Sequence, residues 1–258
     1  MDLGIRGRKA IICASSRGLG RACALALAEA GVDVTINGRD ESALETTRKD
    51  LSALGVDVAV VVADVSTESG QAALLAACPE PDILVNNNGG PPHKDYRELN
   101  RHAMLEGVTM NMVTPIELIQ KTLDGMCERG FGRIVNITSA SVRMPIPGLD
   151  LSSGARAGLI AFLAGVTRTV ADKGVTINHL LPGAFDTDRL RGGLEFAAQR
   201  TGKPVEVIAA GRAAGIPAGR FGRPDEFGAA CAFLCSSQAA YVTGQSLLID
   251  GGMYNSAF

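Results

Sequence analysis

The segment Cys13-Ala14-Ser15-Ser16-Arg17-Gly18-Leu19-Gly20 follows a short apolar run (9–13) and opens a helical stretch (18–30) that Gly31 closes. Glycines at a helix start let a backbone approach a pyrophosphate closely, and the free N–H groups and positive dipole end of the helix favour an anion. The next apolar run (32–36) leads into Asn37-Gly38-Arg39. A dinucleotide without a 2′-phosphate is normally held here by an acid that binds the ribose hydroxyl. An arginine, helped by Arg17 in the glycine loop, suits a 2′-phosphate instead. This pattern favours NADP(H) over NAD(H), although either arginine also reads as a solvated surface charge. Further along, His93 and Tyr96 in GGPPHKDY follow another short apolar run and are potential proton donors, or equally ordinary loop residues.

The elements that must position these groups alternate. Short apolar runs at 9–13, 32–36, 58–63, 83–86, 133–137, 176–180 and 246–249 read as strands, and 18–30, 41–54, a short stretch ending at Pro79, 99–129 and 152–171 as helices. Residues 58–63 are β-branched and almost wholly apolar, which suggests a strand buried on both faces. This rhythm predicts an α/β fold: a single-domain Rossmann-type doubly wound parallel sheet with helices on both faces. Residues 186–221, rich in Arg, Gly and Ala, break the rhythm as an irregular insertion. Their place after a late strand makes them a substrate lid or, alternatively, a surface insertion.

Composition excludes other classes. The chain has 258 residues, of which 46% are hydrophobic and 20% charged, with a formal charge of −2. Such a balance gives no reason to expect nucleic acid or an anionic membrane as partner. No apolar run nears the roughly 18 residues that span a bilayer, and no secretory signal is evident, so the expected location is cytoplasmic. Cys13, Cys23, Cys78, Cys127, Cys231 and Cys235 are scattered and read as reduced core thiols, with the last two on the buried face of a helix; no metal site is expected.

Taken together, these motifs resemble the short-chain dehydrogenase/reductase family, in the branch of the 3-oxoacyl-(acyl carrier protein) reductases, along the whole chain. CASSRGLG resembles the family's T-G-x-x-x-G-x-G cofactor loop, Asp64-Val65 its adenine-contacting pair, and Asn86-Asn87-Asn88-Gly89 its N-N-A-G. Asn111 falls on a structural and catalytic Asn, and Ser139 in RIVNITSAS on the catalytic Ser. Pro182-Gly183 through Thr187 resembles the segment that holds the nicotinamide amide, and GRFGRPDEFGAACAFLCSSQAAYVTGQSLLIDGG resembles the C-terminal block. The resemblance implies cofactor contacts from Ser15, Ser16, Arg17, Gly18, Leu19, Gly20, Arg39, Asp64, Val65, Asn87, Gly89, Arg156, Pro182, Gly183 and Thr187. It also implies a homotetramer packed on 152–171, 225–236 and the last strand.

The departures concern chemistry. Where the family places a Tyr and, four residues later, a Lys, this chain holds Ser152 and Arg156, and no Tyr-x-x-x-Lys occurs in it. Cys13 and Ala14 replace the loop's Thr and first Gly, and Ala14 is tolerable if its φ is negative. Ser152 and Arg156 share one helix face and would stabilise an oxyanion. They make a poor proton source, because an aliphatic hydroxyl is a weak acid and Arg stays protonated. The reading is therefore an oxidoreductase interconverting a ketone and a secondary alcohol, with Asn111, Ser139, Ser152 and Arg156 as its catalytic set and a water chain, His93 or Tyr96 supplying the proton. Two alternatives remain: a cofactor- or metabolite-binding homologue with little activity, and an inactive partner subunit. The substrate is a small carbonyl or alcohol, an acyl thioester being one option. Arg189, Arg191, Arg200 and Arg212 in the insertion would permit an anionic group, or form a solvated face.

Overall fold

The computed structural model describes residues 2–91 and 93–256. Its strands are β1 (Lys9–Ile12), β2 (Asp33–Gly38), β3 (Val58–Val62), β4 (Ile83–Asn86), β5 (Gly132–Ile137), β6 (Val175–Pro182) and β7 (Ser246–Ile249). They form one parallel sheet in the order β3-β2-β1-β4-β5-β6-β7. The helices are α1 (Gly18–Glu29), α2 (Glu41–Ser52), α3 (Glu68–Ala77), α4 (Arg101–Val108), α5 (Thr114–Glu128), α6 (Asp150–Val170), α7 (Asp188–Thr201), α8 (Val205–Ala214) and α9 (Pro224–Cys235). No helix among the described residues is long and apolar enough to cross a membrane.

Side chains alternate across a strand, so each central strand feeds two cores. Ala10, Ile12, Ile83, Val85, Val135 and Ile137 pack with Leu27, Phe227, Cys231 and Cys235 beneath α1 and α9. The residues between them, Ile11, Leu84 and Ile134, pack with Leu74, Leu118, Leu159 and Leu163 beneath α3, α5 and α6. This is why those strands read as continuous apolar runs. The strand order reverses between β1 and β4, and the crevice at the carboxyl ends there is where ligands enter such sheets.

Three readings of the sequence change. β3 is not buried on both faces: it lies at the sheet edge, where Val62 is 49% exposed, because only β2 pairs with it. The stretch 99–129 is not one helix. α4 passes into a wide turn at Thr109–Val113, where the Thr114 N–H donates to the Thr109 carbonyl five residues back, before α5 begins. Pro115 has no N–H to offer the Asn111 carbonyl one α-helical turn earlier, so the ladder shifts. The stretch 186–221 is not irregular, since α7 and α8 occupy most of it. Its base is tied by Asp186 N–H to Gly222 O at 2.9 Å and Gly222 N–H to Ala184 O at 3.0 Å.

His179, on β6, is 2% exposed and its Nδ1 has no hydrogen-bond partner among the described residues. Burial pushes its pKa down to about 4. An unfolded histidine protonates near pH 6.5 while the folded one resists, so stability falls as pH drops from about 6.5 toward 4, by up to about 3 kcal/mol. Denaturation of wild type and His179→Gln across that range should show the steeper loss in wild type; parallel curves would remove His179 as the cause.

Candidate active site

A cleft of about 890 Å³ runs along the carboxyl ends of the strands. At one end lies the β1–α1 loop. Gly18 has φ +60, and a Cβ on Gly20 would come within 2.4 Å of the Ala14 carbonyl and 2.8 Å of Asn87 Nδ2, so both positions need glycine. No side chain caps the N-terminus of α1, leaving its first N–H groups free for an anion. Ser16, Arg17, Gly18, Leu19, Arg39, Asp64, Val65, Asn87, Gly89, Pro182, Gly183 and Thr187 all line the cleft.

Ser15 and Gly20 lie behind that surface. Ser15 is fully buried, its hydroxyl donating to Ile12 O at 2.7 Å and accepting from the Asn37 N–H at 3.0 Å, which ties β1 to β2. Asn87 Nδ2 donates to Ala14 O at 3.1 Å, joining the loop to the end of β4. Arg17 pairs with Asp40, and Arg39 lies 3.7 Å from Asp64; all four side chains are exposed. Solvent weakens such pairs, so a phosphate can take over both guanidinium groups.

At the other end stand Ser139, Ser152 and Arg156. Ser139 caps a short turn, its Oγ accepting from the Ser141 N–H at 3.1 Å. Ser152 and Arg156 are one turn apart on α6, and Arg156 Nε donates to Ser152 Oγ at 3.2 Å. Both hydroxyl oxygens act as acceptors within the protein, which frees their protons to point at a carbonyl oxygen in the cleft. Arg156 also donates from Nη1 to the Ile137 carbonyl at 2.7 Å. It is 7% exposed and has no carboxylate partner among the described residues. Burial, with the charge of Arg189 nearby, pushes its pKa down to about 10, so it stays cationic at neutral pH.

Asn111 is placed differently. It is buried in the wide turn and lines a small pocket of about 20 Å³ together with Asn86, Thr114 and Arg156. That is room for one water. Asn86 Oδ1, Asn111 Oδ1 and Thr114 Oγ1 have no hydrogen-bond partner among the described residues. The sequence pointed to Asn111 but not to Thr114, whose type and spacing carry no chemical signal of their own.

Of the two further proton donors considered, His93 lines the mouth of the cleft. Tyr96 does not: it is 62% exposed and its ring lies under Arg97, 4.6 Å from the guanidinium carbon. No tyrosine or lysine lines the cleft among the described residues. Cys13, at the end of β1, is fully buried, which pushes its thiol up to about 12 and leaves it inert.

The chain matches the family model described as Enoyl-(Acyl carrier protein) reductase over residues 13–254. The 3-oxoacyl-[acyl-carrier-protein] reductase FabG of Vibrio cholerae serotype O1 is 34% identical over 255 residues, covering 98% of this chain and 99% of that protein. The chain belongs to the short-chain dehydrogenase/reductase family. It falls in the branch of the 3-oxoacyl-(acyl carrier protein) reductases. The NADPH-dependent reductase BacG of Bacillus subtilis is 30% identical, covering 96% of this chain and 98% of that one. Among solved structures, L-sorbose reductase from Gluconobacter frateurii, complexed with NADPH and L-sorbose, superposes with a TM-score of 0.94 at 27% identity, over 99% of this chain and 100% of that one.

Ala14 is the main correction at the site. Its φ is +45, not negative, so a methyl-bearing residue occupies a left-handed position in the loop. That conformation costs about 1–2 kcal/mol for an L-residue, partly offset by the greater freedom a glycine loses on folding. Ala14→Gly should therefore raise stability by roughly 0.5–1 kcal/mol in chemical denaturation; a loss of stability would show that the loop is not strained there.

Proposed function

We propose that this chain is an NADP(H)-dependent oxidoreductase interconverting a ketone and a secondary alcohol. The observation that carries the reading is one continuous cleft with Arg17 and Arg39 beside the glycine loop at one end and Ser139, Ser152 and Arg156 at the other. The residues fit the cofactor: a glycine loop in which Gly18 needs its positive φ and Gly20 has no room for a Cβ, an uncapped helix start, and an arginine where NAD binding would want an acid. The NADPH-dependence of BacG and the NADPH complex of L-sorbose reductase support the same choice. Ser16, Gly18 and Leu19 would hold the pyrophosphate, Asp64 and Val65 the adenine, and Asn87, Gly89, Pro182, Gly183 and Thr187 the nicotinamide half.

When bound, the cofactor supplies a hydride acceptor or donor at its nicotinamide. The chain's own residues then manage charge on the substrate oxygen. Ser139 and Ser152 donate hydrogen bonds to it, and the Arg156 cation stabilises it in a site of low dielectric. Ser152 and Arg156 stand here for the family's Tyr and Lys. Neither gives up a proton readily, so the proton comes from water, through the small pocket that Arg156 lines or past His93 at the mouth. General acid catalysis is worth about 10²–10⁴-fold, so this is a slow reductase rather than an inert one.

α7 and α8 supply Arg189, Leu190, Gly193 and Arg212 to the cleft wall, which favours their role as a substrate lid. The half-exposed Phe162 on α6 and Phe233 on α9 support a homotetramer packed on those helices. That no tyrosine lines the cleft among the described residues favours a second reading, a cofactor-binding homologue with little turnover.

Calorimetric titration separates these. Under the first reading NADPH binds at least roughly tenfold tighter than NADH, Arg39→Ala removes most of that preference, and Ser152→Ala lowers ketone-dependent NADPH oxidation roughly tenfold or more. Tight NADPH without turnover of any ketone supports the second. No binding of either nucleotide overturns both.

A further inference from the structure

The cleft's cations divide into two sets. Arg17 and Arg39, at the proposed 2′-phosphate end, each have a carboxylate, Asp40 and Asp64. Toward the catalytic end Arg156, Arg189 and Arg212 line the cleft and none has an acidic partner among the described residues. The one carboxylate lining this half is Asp188, and it faces Arg191 at 3.8 Å, as Asp186 does at 2.9 Å. Nor does either lid arginine donate a side-chain hydrogen bond among the described residues, whereas Arg191, Arg220 and Arg223, outside the lining, do.

A glycine makes the place for one of these cations. The Arg189 guanidinium lies over Gly90, with Nη2 2.9 Å from where a Cβ would stand, so the glycine makes room for it. Its charge is felt at Arg156, which is itself 7% exposed. Like charges that line one cleft without acidic partners among the described residues, one of them buried, are costly unless an anion joins them there. The neighbouring wall is apolar, from Met144, Ile146, Leu149 and Met253.

Resting on the reading above, we propose that the substrate is an oxo acid whose free carboxylate is bound by Arg189 and Arg212, with its carbonyl oxygen at Ser139, Ser152 and Arg156. In the reductive direction a hydride from NADPH forms the new C–H bond at the carbonyl carbon. The C=O π pair becomes the alkoxide, and a proton from water completes the hydroxyl. The ketone is reduced to a hydroxy acid and NADPH is oxidised to NADP⁺. Such a substrate differs from a carrier-protein thioester, in which the carboxylate is masked. Guanidinium is suited to this task because it grips a carboxylate through two parallel N–H bonds.

The test uses matched pairs: 2-oxobutanoate, 3-oxobutanoate and 4-oxopentanoate against their methyl esters. Binding to the protein saturated with NADP⁺ is measured by calorimetry, and NADPH oxidation in parallel. At least one acid should bind roughly tenfold or more tightly than its ester. In Arg189→Gln and Arg212→Gln that ratio should fall by a similar factor, while NADPH affinity stays within about threefold of wild type. Esters binding as well as acids, or no acid binding at all, overturns the proposal. So does a loss of NADPH affinity in Arg189→Gln as large as the loss for the acid, since the cation would then serve the cofactor's pyrophosphate. Failure of the reductase reading looks different: acids bind selectively and no NADPH is consumed.

Discussion

A positive charge held in the protein interior with no carboxylate partner among the described residues is the constraint on which this site depends. Arg156 sits at the meeting point of β5, α6 and the cleft, bonded to the Ile137 carbonyl and to Ser152. Burying an ion with so little compensation destabilises a fold, and burial pulls the pKa of the group down accordingly. The surroundings fit that burden. The parallel sheet brings the end of β5 to the guanidinium, and the wide turn between α4 and α5 places Asn111 in the small pocket that Arg156 also lines. The 20 Å³ there add room for a water beside three polar atoms with no hydrogen-bond partner among the described residues. An interior charge of this kind is what a site that stabilises a developing oxyanion requires, because the same low dielectric strengthens both the penalty and the catalytic interaction.

Much of the scaffold was legible in the sequence because doubly wound sheets write themselves plainly. Strands such as Ile83–Asn86 and Gly132–Ile137 are buried throughout and mostly apolar, since alternate residues face two cores, and Gly31 and Gly55 punctuate the ends of α1 and α2. The failures have physical causes. β3 is as apolar as a central strand but stands at an edge, and hydropathy alone does not report position in a sheet. α7 and α8 were missed because Gly192, Gly193 and Gly211 lower helix propensity, while few of their residues face a core. The turn at Thr109–Val113 needed Pro115 to be read as a missing donor rather than as a helix start.

At the site, most of the residues that motif order and residue type singled out line one cleft, including the distant Arg39, Ser139 and Thr187. They did not reveal depth. Ser15 and Asn111 turn out to lie behind the surface, one tying strands together and the other facing the cavity, whereas Tyr96 is turned to solvent. The left-handed Ala14 was likewise invisible, since the conformation at a residue is set by the loop around it, here by Asn37 and Asn87, which bind its N–H and carbonyl. The proposed chemistry follows from what those corrections leave: hydroxyl donors and a cation, with water as the proton source.

The most direct test of the account is to measure stability and turnover together in Arg156→Met. If the buried charge is retained for catalysis and not for folding, the variant keeps or gains stability in chemical denaturation while kcat/KM for ketone reduction falls roughly a hundredfold or more. A variant that loses stability by several kcal/mol but turns over substrate at the wild-type rate would show Arg156 to be a structural residue, and would contradict the account at its centre.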